Sequence, residues 1–406
     1  MRSARVGGDR LYQAGWAVFT IYLLALGIAS ALRSQGDFAI YYLAGQRILS
    51  GATVYPASDS NHFLYAPVIA IFFAPFSLLP IRAAQVAWFV FNAAGLVAFV
   101  AGSKRLLFGS GWPAPWIVFL PIVFCTRFIN NNIEHGQINL IVMGMIVWSL
   151  VLAESRPPLS GLLLAASILI KPFALLAGWY LLLQRRWASI AWSAVAGVAL
   201  LGAAILFMGP SHAIGETADY LKAIAATGNR YPLMLTNQSA SSAAMRLFSA
   251  ASSSLSLGVA AALGTGLEIL LLIFISIWIV RASSNESSRS RMLTLAALFC
   301  LMPSIAPVSW KSYYVALLLP YMAVLSAFLE SRIRVGWLLW LALGLSVTLN
   351  FLPGRTVNHL ALFYSAHFIS SLLLMAICFA AARETNGSSN TGSRFGGQHD
   401  GLNIGS

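Results

Sequence analysis

The side chains able to do chemistry in this chain fall into a few clusters, each set beside an apolar run. The first is Asp37 with Tyr41, Tyr42 and Arg47 in "GDFAIYYLAGQRIL". The second is "NNNIEHGQINL", with Glu134, His135, Gln137 and Asn139, and the third is "APVSWKSYYVALLLP", with Trp310, Lys311 and Tyr313. "TNQSASSAAMR" adds Asn237, Gln238, Ser239 and Arg246, and Lys171-Pro172 interrupts "GLLLAASILIKPFALLAGWYLLLQRR". Polar groups at membrane depth are costly and are functional candidates on that ground. The chemistry on offer is narrow. A lone carboxylate such as Asp37 can accept a proton, and Lys or Arg can neutralise a phosphate. If the first stretch is a short helix, Asp37 and Tyr41, four residues apart, share a face. Structural readings stand beside these: Asp37 as a helix cap, the tyrosines as interfacial anchors, the Asn-rich run as a polar helix start, Lys311 as a snorkelling lysine, and "TNQSASSAAMR" as a solvated loop. The sequence has no Walker, His-Glu-x-x-His, Cys-x-x-Cys or Asp-x-Asp pattern, so no metal or cofactor is expected.

These residues must be positioned by a membrane bundle. The 406 residues are 59% hydrophobic and 9% charged, with only twelve acids, where a soluble domain carries about a quarter charged residues. Runs of about 20 apolar residues, enough to span a bilayer, recur along almost the whole length. The net charge of +13 is scattered between these runs, with no dense patch, which argues against a nucleic-acid partner. Positive charge here is a topology signal. Cys125, Cys300 and Cys378 lie in apolar runs without ligand spacing and are expected in the core.

The basic start "MRSARVGGDR" is placed inside, and the run 14–32 is a retained span, so Asp37 falls outside. "HFLYAPVIAIFFAPFSLLPIR", which holds Tyr65, is broken by three prolines and is expected as a short re-entrant or interfacial segment. Spans follow at 83–103, 114–129, 138–153, 187–208, 255–281, 292–306, 312–329, 335–351 and 359–381, with two short helices between Arg156 and Arg185. Those two form a hairpin with Lys171 at its outer tip, the rival being one span with a buried lysine. The result is an all-α polytopic membrane protein of about twelve spans with outer-side juxtamembrane helices and both termini inside. One domain covers 1–383, with outer loops near 33–82 and 209–250, and 384–406 is a disordered cytoplasmic tail. Asp37, Gln137, Lys171, Asn237 and Lys311 lie outside in this topology, and Arg105, Arg185 and Arg289 inside. Ten of the 25 basic residues fall outside, which invites an anionic partner such as an isoprenoid phosphate.

"GDFAIYYLAGQRILSGATVY", "FLYAPVIAIFFAPFSLLP", "GQINLIVMGMIVWSLVL", "GLLLAASILIKPFALL", "NQSASSAAMRL" and "PVSWKSYYVALLLP" occur in the order seen in glycosyltransferase family 87. The chain resembles that family, the polyprenol-phosphate-mannose-dependent mannosyltransferases of bacterial envelopes with the GT-C fold, from about residue 36 to 320. The resemblance implies an inner-membrane enzyme with its site facing away from the cytoplasm. Its donor would be a polyprenyl-phosphate hexose, most simply mannose, and its acceptor an envelope glycolipid or glycan. Asp37 would be the general base and Lys311 the contact to the lipid phosphate. Tyr41, Tyr42, Tyr65, His135, Gln137, Asn139, Lys171, Asn237, Gln238, Ser239, Arg246, Trp310 and Tyr313 would surround donor and acceptor. Mycobacterial relatives tend to carry histidine just after "SW", where this chain has Lys311. With one base and no second carboxylate nearby in sequence, single displacement with inversion is the simpler mechanism. The rival readings are a polyprenyl-linked oligosaccharide polymerase or ligase, and a transporter, which would show repeated interrupted helices; no repeat between the halves is evident.

Overall fold

The computed structural model describes residues 2–31, 36–56, 58–59, 62–230, 233–251, 256–285, 288–331, 336–351 and 355–392. Within them the chain is helical, with no strand. Its first half comprises α1 (Arg2–Ala31), α2 (Gly36–Ser50), α3 (Pro67–Ser77), α4 (Ile81–Phe108), α5 (Pro115–Phe124), α6 (Thr126–Glu134), α7 (Asn139–Leu152), α8 (Pro157–Ile170), α9 (Leu175–Leu183) and α10 (Trp187–Met208). The second half comprises α11 (Pro210–Arg230), α12 (Ala240–Ala251), α13 (Leu257–Asn285), α14 (Ser288–Leu301), α15 (Leu318–Ser331), α16 (Gly336–Phe351), α17 (Arg355–Phe363) and α18 (Ala366–Gly392). The end of α18 enters the stretch expected as a tail, and 393–406 lie outside the described residues.

Six described helices are long and apolar enough to cross a bilayer, or seven if the bent pair α5–α6 is one span. The sequence had suggested about twelve spans. The difference lies in expected spans that form shorter apolar helices, among them α7, α8 and the stretch Pro172–Leu183; α3, expected as a re-entrant or interfacial segment, is short as well. α5 carries Pro121 within it, which removes a helical hydrogen bond, and the chain bends by 57° between α5 and α6. The Asn-rich run therefore lies in α6, after the bend, instead of opening α7. α7 begins only after a turn at Gly136, whose φ of +63° suits glycine.

The Lys171 region resolves as the hairpin. α8 stops at Ile170, Lys171 is extended, and a 3₁₀ turn at Pro172–Ala174 leads into α9. Arg186, after α9, pairs with Glu154, before α8, and Ser189 Oγ donates to Ala153 O at 2.9 Å. The chain has thus gone out and back. α10 then runs parallel to α8, so close at Gly161 that a Cβ there would fall 2.5 Å from Ser193 N.

Two ends of the bundle follow from such pairings. Asp37 N–H donates to His135 O at 3.2 Å, tying the start of α2 to the α6–α7 turn. From that turn α7 carries the chain roughly 20 Å away, parallel to α4, with Trp148 Nε1 donating to Ala98 O at 2.9 Å. Lys104, Arg105, Arg156, Arg185 and Arg186 lie at that far end.

Candidate active site

α2 sets Asp37 in its first turn and Tyr41 one turn on, so both face inward. Phe38 and Tyr41 are buried against Trp88 and Phe73, and this aromatic packing holds the face in place. The Asp37 carboxylate accepts a hydrogen bond from Gln137 Nε2. That bond ties it to the α6–α7 turn, a partner no capping role requires. Tyr41 and Tyr65 share a hydrogen bond of 2.7 Å. Lys171, at the hairpin turn, donates from Nζ to Tyr313 Oη at 2.6 Å, with its ammonium over the rings of Tyr313 at 4.4 Å and Tyr65 at 5.0 Å.

These groups enclose a polar cavity of about 210 Å³, closed by His62, Leu64 and Trp310 and, from α11, by Ala223 and Ala226. A second cavity of about 880 Å³ shares Leu64, Lys171, Trp310 and Tyr313 with it. This one is almost wholly apolar, bounded by α8, α9 and α10, and Leu175 and Trp179 on its wall are exposed on the outer surface of the bundle. A carboxylate chamber thus meets an oily groove at one lysine. Burial pushes the Asp37 carboxyl above the ordinary carboxylate value, against the opposing pull of Lys171 and His135.

The structure brings Asp37, Tyr41, Tyr65, Gln137, Lys171, Trp310 and Tyr313 together, with His135 exposed beside them. Asn139 stands one step behind Gln137. Tyr42 turns outward and donates to Leu79 O at 2.8 Å. Arg47 leaves Asp37 for a two-point pair with Asp59, at 2.6 and 2.9 Å. Lys311, expected at the phosphate, lines neither cavity; it faces Arg127 and Glu134 on the other side of the 3₁₀ turn Lys311–Leu317. That turn sends residues 311 and 313 to different sides, and Tyr313 takes the cavity place.

The "NQS" stretch is also elsewhere. Asn237 Oδ1 accepts from Ser239 N and Ser309 N, Gln238 Nε2 donates to Leu235 O and Leu362 O, and Ser239 Oγ accepts from Ser242 N at the start of α12. Arg246 spends its guanidinium on this loop. His62, Trp88 and the α11 alanines were not foreseen, since nothing in their local sequence separates them from ordinary packing residues. Glu268, buried in α13 with Oε1 unpaired, had a signal, being an acid inside an apolar run. No cluster of three or more His, Cys, Asp or Glu able to hold a metal occurs among the described residues, and all three cysteines are buried.

An all-helical membrane bundle with a carboxylate chamber opening on an apolar groove suits an enzyme that works on a lipid-linked substrate. The model of glycosyltransferase family 87 matches residues 63–307, more than half of the chain, and the chain belongs to that family. The match covers Tyr65, Gln137 and Lys171; Asp37 and Tyr313 lie on either side of it. The chain is similar to a Mycolicibacterium smegmatis polyprenol-phosphate-mannose-dependent alpha-(1-2)-phosphatidylinositol pentamannoside mannosyltransferase, 30% identical over 147 residues, which is 36% of this chain and 35% of the relative. It is also similar to polyprenol-phosphate-mannose-dependent alpha-(1-2)-phosphatidylinositol mannoside mannosyltransferases of two species. The one from Mycolicibacterium smegmatis is 27% identical over 82% of the chain and 80% of the relative. The one from Mycobacterium tuberculosis is 26% identical over 70% and 68%.

Proposed function

We propose that this protein transfers a mannosyl group from a polyprenyl-phosphate donor to a glycolipid acceptor of the envelope, on the non-cytoplasmic face of the inner membrane, with inversion. The observation that carries this reading is the junction of the two cavities at Lys171. The isoprenoid chain lies in the apolar groove, its phosphate meets Lys171, and the sugar enters the chamber toward Asp37. One N–H of the ammonium is held by Tyr313, which leaves two for phosphate oxygens. The chamber, at about 210 Å³, is on the scale of a single sugar ring. That favours a monosaccharide donor over the oligosaccharide carried by a polymerase or ligase. The mannose donor and the phosphatidylinositol mannoside acceptor come from the relatives, and the GT-C fold with about twelve spans from the family resemblance. The side rests on charge: the end away from Asp37 carries Lys104, Arg105, Arg156, Arg185 and Arg186, as short cytoplasmic loops do.

In the reaction the acceptor hydroxyl oxygen bonds to the anomeric carbon as its proton passes to Asp37. The bond from that carbon to the phosphate oxygen breaks, its electron pair leaves with the phosphate, and Lys171 offsets the charge that develops there. A carboxyl group kept above its ordinary pKa by burial is a better base, provided the pH keeps it ionised. Asp37→Asn, which keeps size and loses the proton acceptor, is expected to bind donor and to lower transfer by at least about 10²-fold. Near-normal transfer by this variant would remove Asp37 from the chemistry.

A further inference from the structure

Asp37 is fixed by more than its own helix. Behind it runs a line of buried side-chain amides whose hydrogen bonds admit one direction only. Asn132, on α6, donates from Nδ2 to Phe128 O and to Ser312 O, both at 2.8 Å. An amide has two N–H bonds, so both are spent and Oδ1 must accept. Asn139, at the start of α7, donates from Nδ2 to Asn132 Oδ1 at 3.1 Å and to Gln137 Oε1 at 3.4 Å. Its donors are spent as well, and Gln137 Oε1 is committed as an acceptor. Gln137 must therefore turn Nε2 toward the carboxylate, where it donates to Asp37 Oδ2. Asn132 and Asn139 are fully buried and Gln137 nearly so, and the buried Oδ1 of Asn139 has no partner. An unmet buried acceptor is a cost, accepted here in the only orientation that passes donors toward Asp37.

We propose that Asn132, Asn139 and Gln137 form a one-way amide relay that positions the general base, pinning Oδ2 of Asp37 and leaving Oδ1 to take the acceptor's proton. The proposal rests on the reading of Asp37 as the base. The relay also links that base to the 3₁₀ turn at Lys311–Leu317 through Ser312 O. The turn carries Tyr313, so base and phosphate anchor are set by the same piece of backbone. The three amides are positioning residues. None of them exchanges a proton.

The test uses the full chain in nanodiscs, with polyprenyl-phosphate mannose as donor and a phosphatidylinositol mannoside as acceptor. Gln137→Leu is expected to lower kcat by about 10- to 100-fold through misplacement of the carboxylate, with donor KM within about twofold. Its acid limb moves to higher pH, because a hydrogen bond favouring the carboxylate is lost. Asn139→Leu, close in size and unable to donate, frees Gln137 to flip and shifts kcat and the acid limb the same way, although residue 139 lines no cavity. The double variant is expected to be no worse than Gln137→Leu alone, since both break one line. Costs that multiply, or a Gln137→Leu enzyme with unchanged kcat and acid limb, would overturn the relay. The Gln137 variant decides alone if Asn139→Leu does not accumulate. If Asp37→Asn abolishes transfer while Gln137→Leu is normal, the relay fails and the base stands; if Asp37→Asn is active, both fail.

Discussion

Two buried polar clusters, which look alike in the sequence, differ in what they leave unmet. Arg246 is 2% exposed. It donates to Met234 O, Asn237 O, Ser242 Oγ, Ser365 Oγ and Phe363 O, at 2.9, 2.7, 2.8, 2.6 and 3.3 Å. It closes a knot among the 234–237 loop, α12 and the α17–α18 turn, where Ser365 sits at a φ of +56°. Lys171 is comparably buried at 8% exposed, yet makes one hydrogen bond and borders two cavities. A buried cation whose three nitrogens all donate to the protein itself is architecture. One held by a single hydroxyl where the chamber meets the apolar groove has donors left to spend, as the proposed phosphate contact requires.

Arg246→Ala tests the first half of that contrast with the largest effect. Five acceptors lose their donor, at a cost of about 3–5 kcal/mol, read as a large fall in thermal midpoint and in yield. The fraction that folds is expected to keep wild-type donor KM. A variant of normal stability with a raised donor KM would transfer Arg246 to the site. Lys171→Ala is the mirror case, with little change in midpoint and a loss of about 10- to 100-fold in kcat/KM for the donor, the worth of a charge-assisted bond. Lys171→Arg is expected to retain part of the activity. Lys311→Ala sharpens the distinction, with at most about a threefold change, because its ammonium faces Arg127 and Glu134; a larger loss than for Lys171→Ala would reverse the assignment.

What sequence reading could and could not reach follows the same line. Asp37 and Tyr41 were legible because four-residue spacing on a short helix puts them on one face. The hairpin was legible because a Lys-Pro step cannot continue a helix bracketed by basic residues. Lys311 lies outside both cavities because residues 311 and 313 in a 3₁₀ turn point to different sides, a local geometry that an apolar flank does not announce. Arg246, Asn237 and Gln238 carried family resemblance without cavity contact. Motif order reports the fold that keeps a site in place as readily as the site itself. The α11 alanines reach the chamber through contacts distant in the chain, where local spacing carries no signal.

The smallest expected effect separates base from scaffold by stability alone. Burial raises the Asp37 carboxyl in the folded protein above its unfolded value. The folded state therefore holds that proton more tightly, and the stability it contributes is full below the unfolded pKa and lost as pH rises through the folded one. Where that carboxyl is ionised its burial is a liability, which the proposed role as base would account for. Asp37→Asn removes the buried charge and keeps the shape, so it is expected to be more stable than the wild type at neutral pH, by about 0.5 kcal/mol. The gap closes as pH falls into the ordinary carboxylate range, where the wild-type group is protonated in both states. Thermal midpoints of both proteins across pH measure it. An ion-pair role predicts the opposite sign, because Asn would then lose a favourable charge, and a cap role predicts equal stability, since Asn caps a helix about as well as Asp. An Asn variant less stable at neutral pH, with a deficit that shrinks on acidification, would return Asp37 to the architecture alongside Arg246.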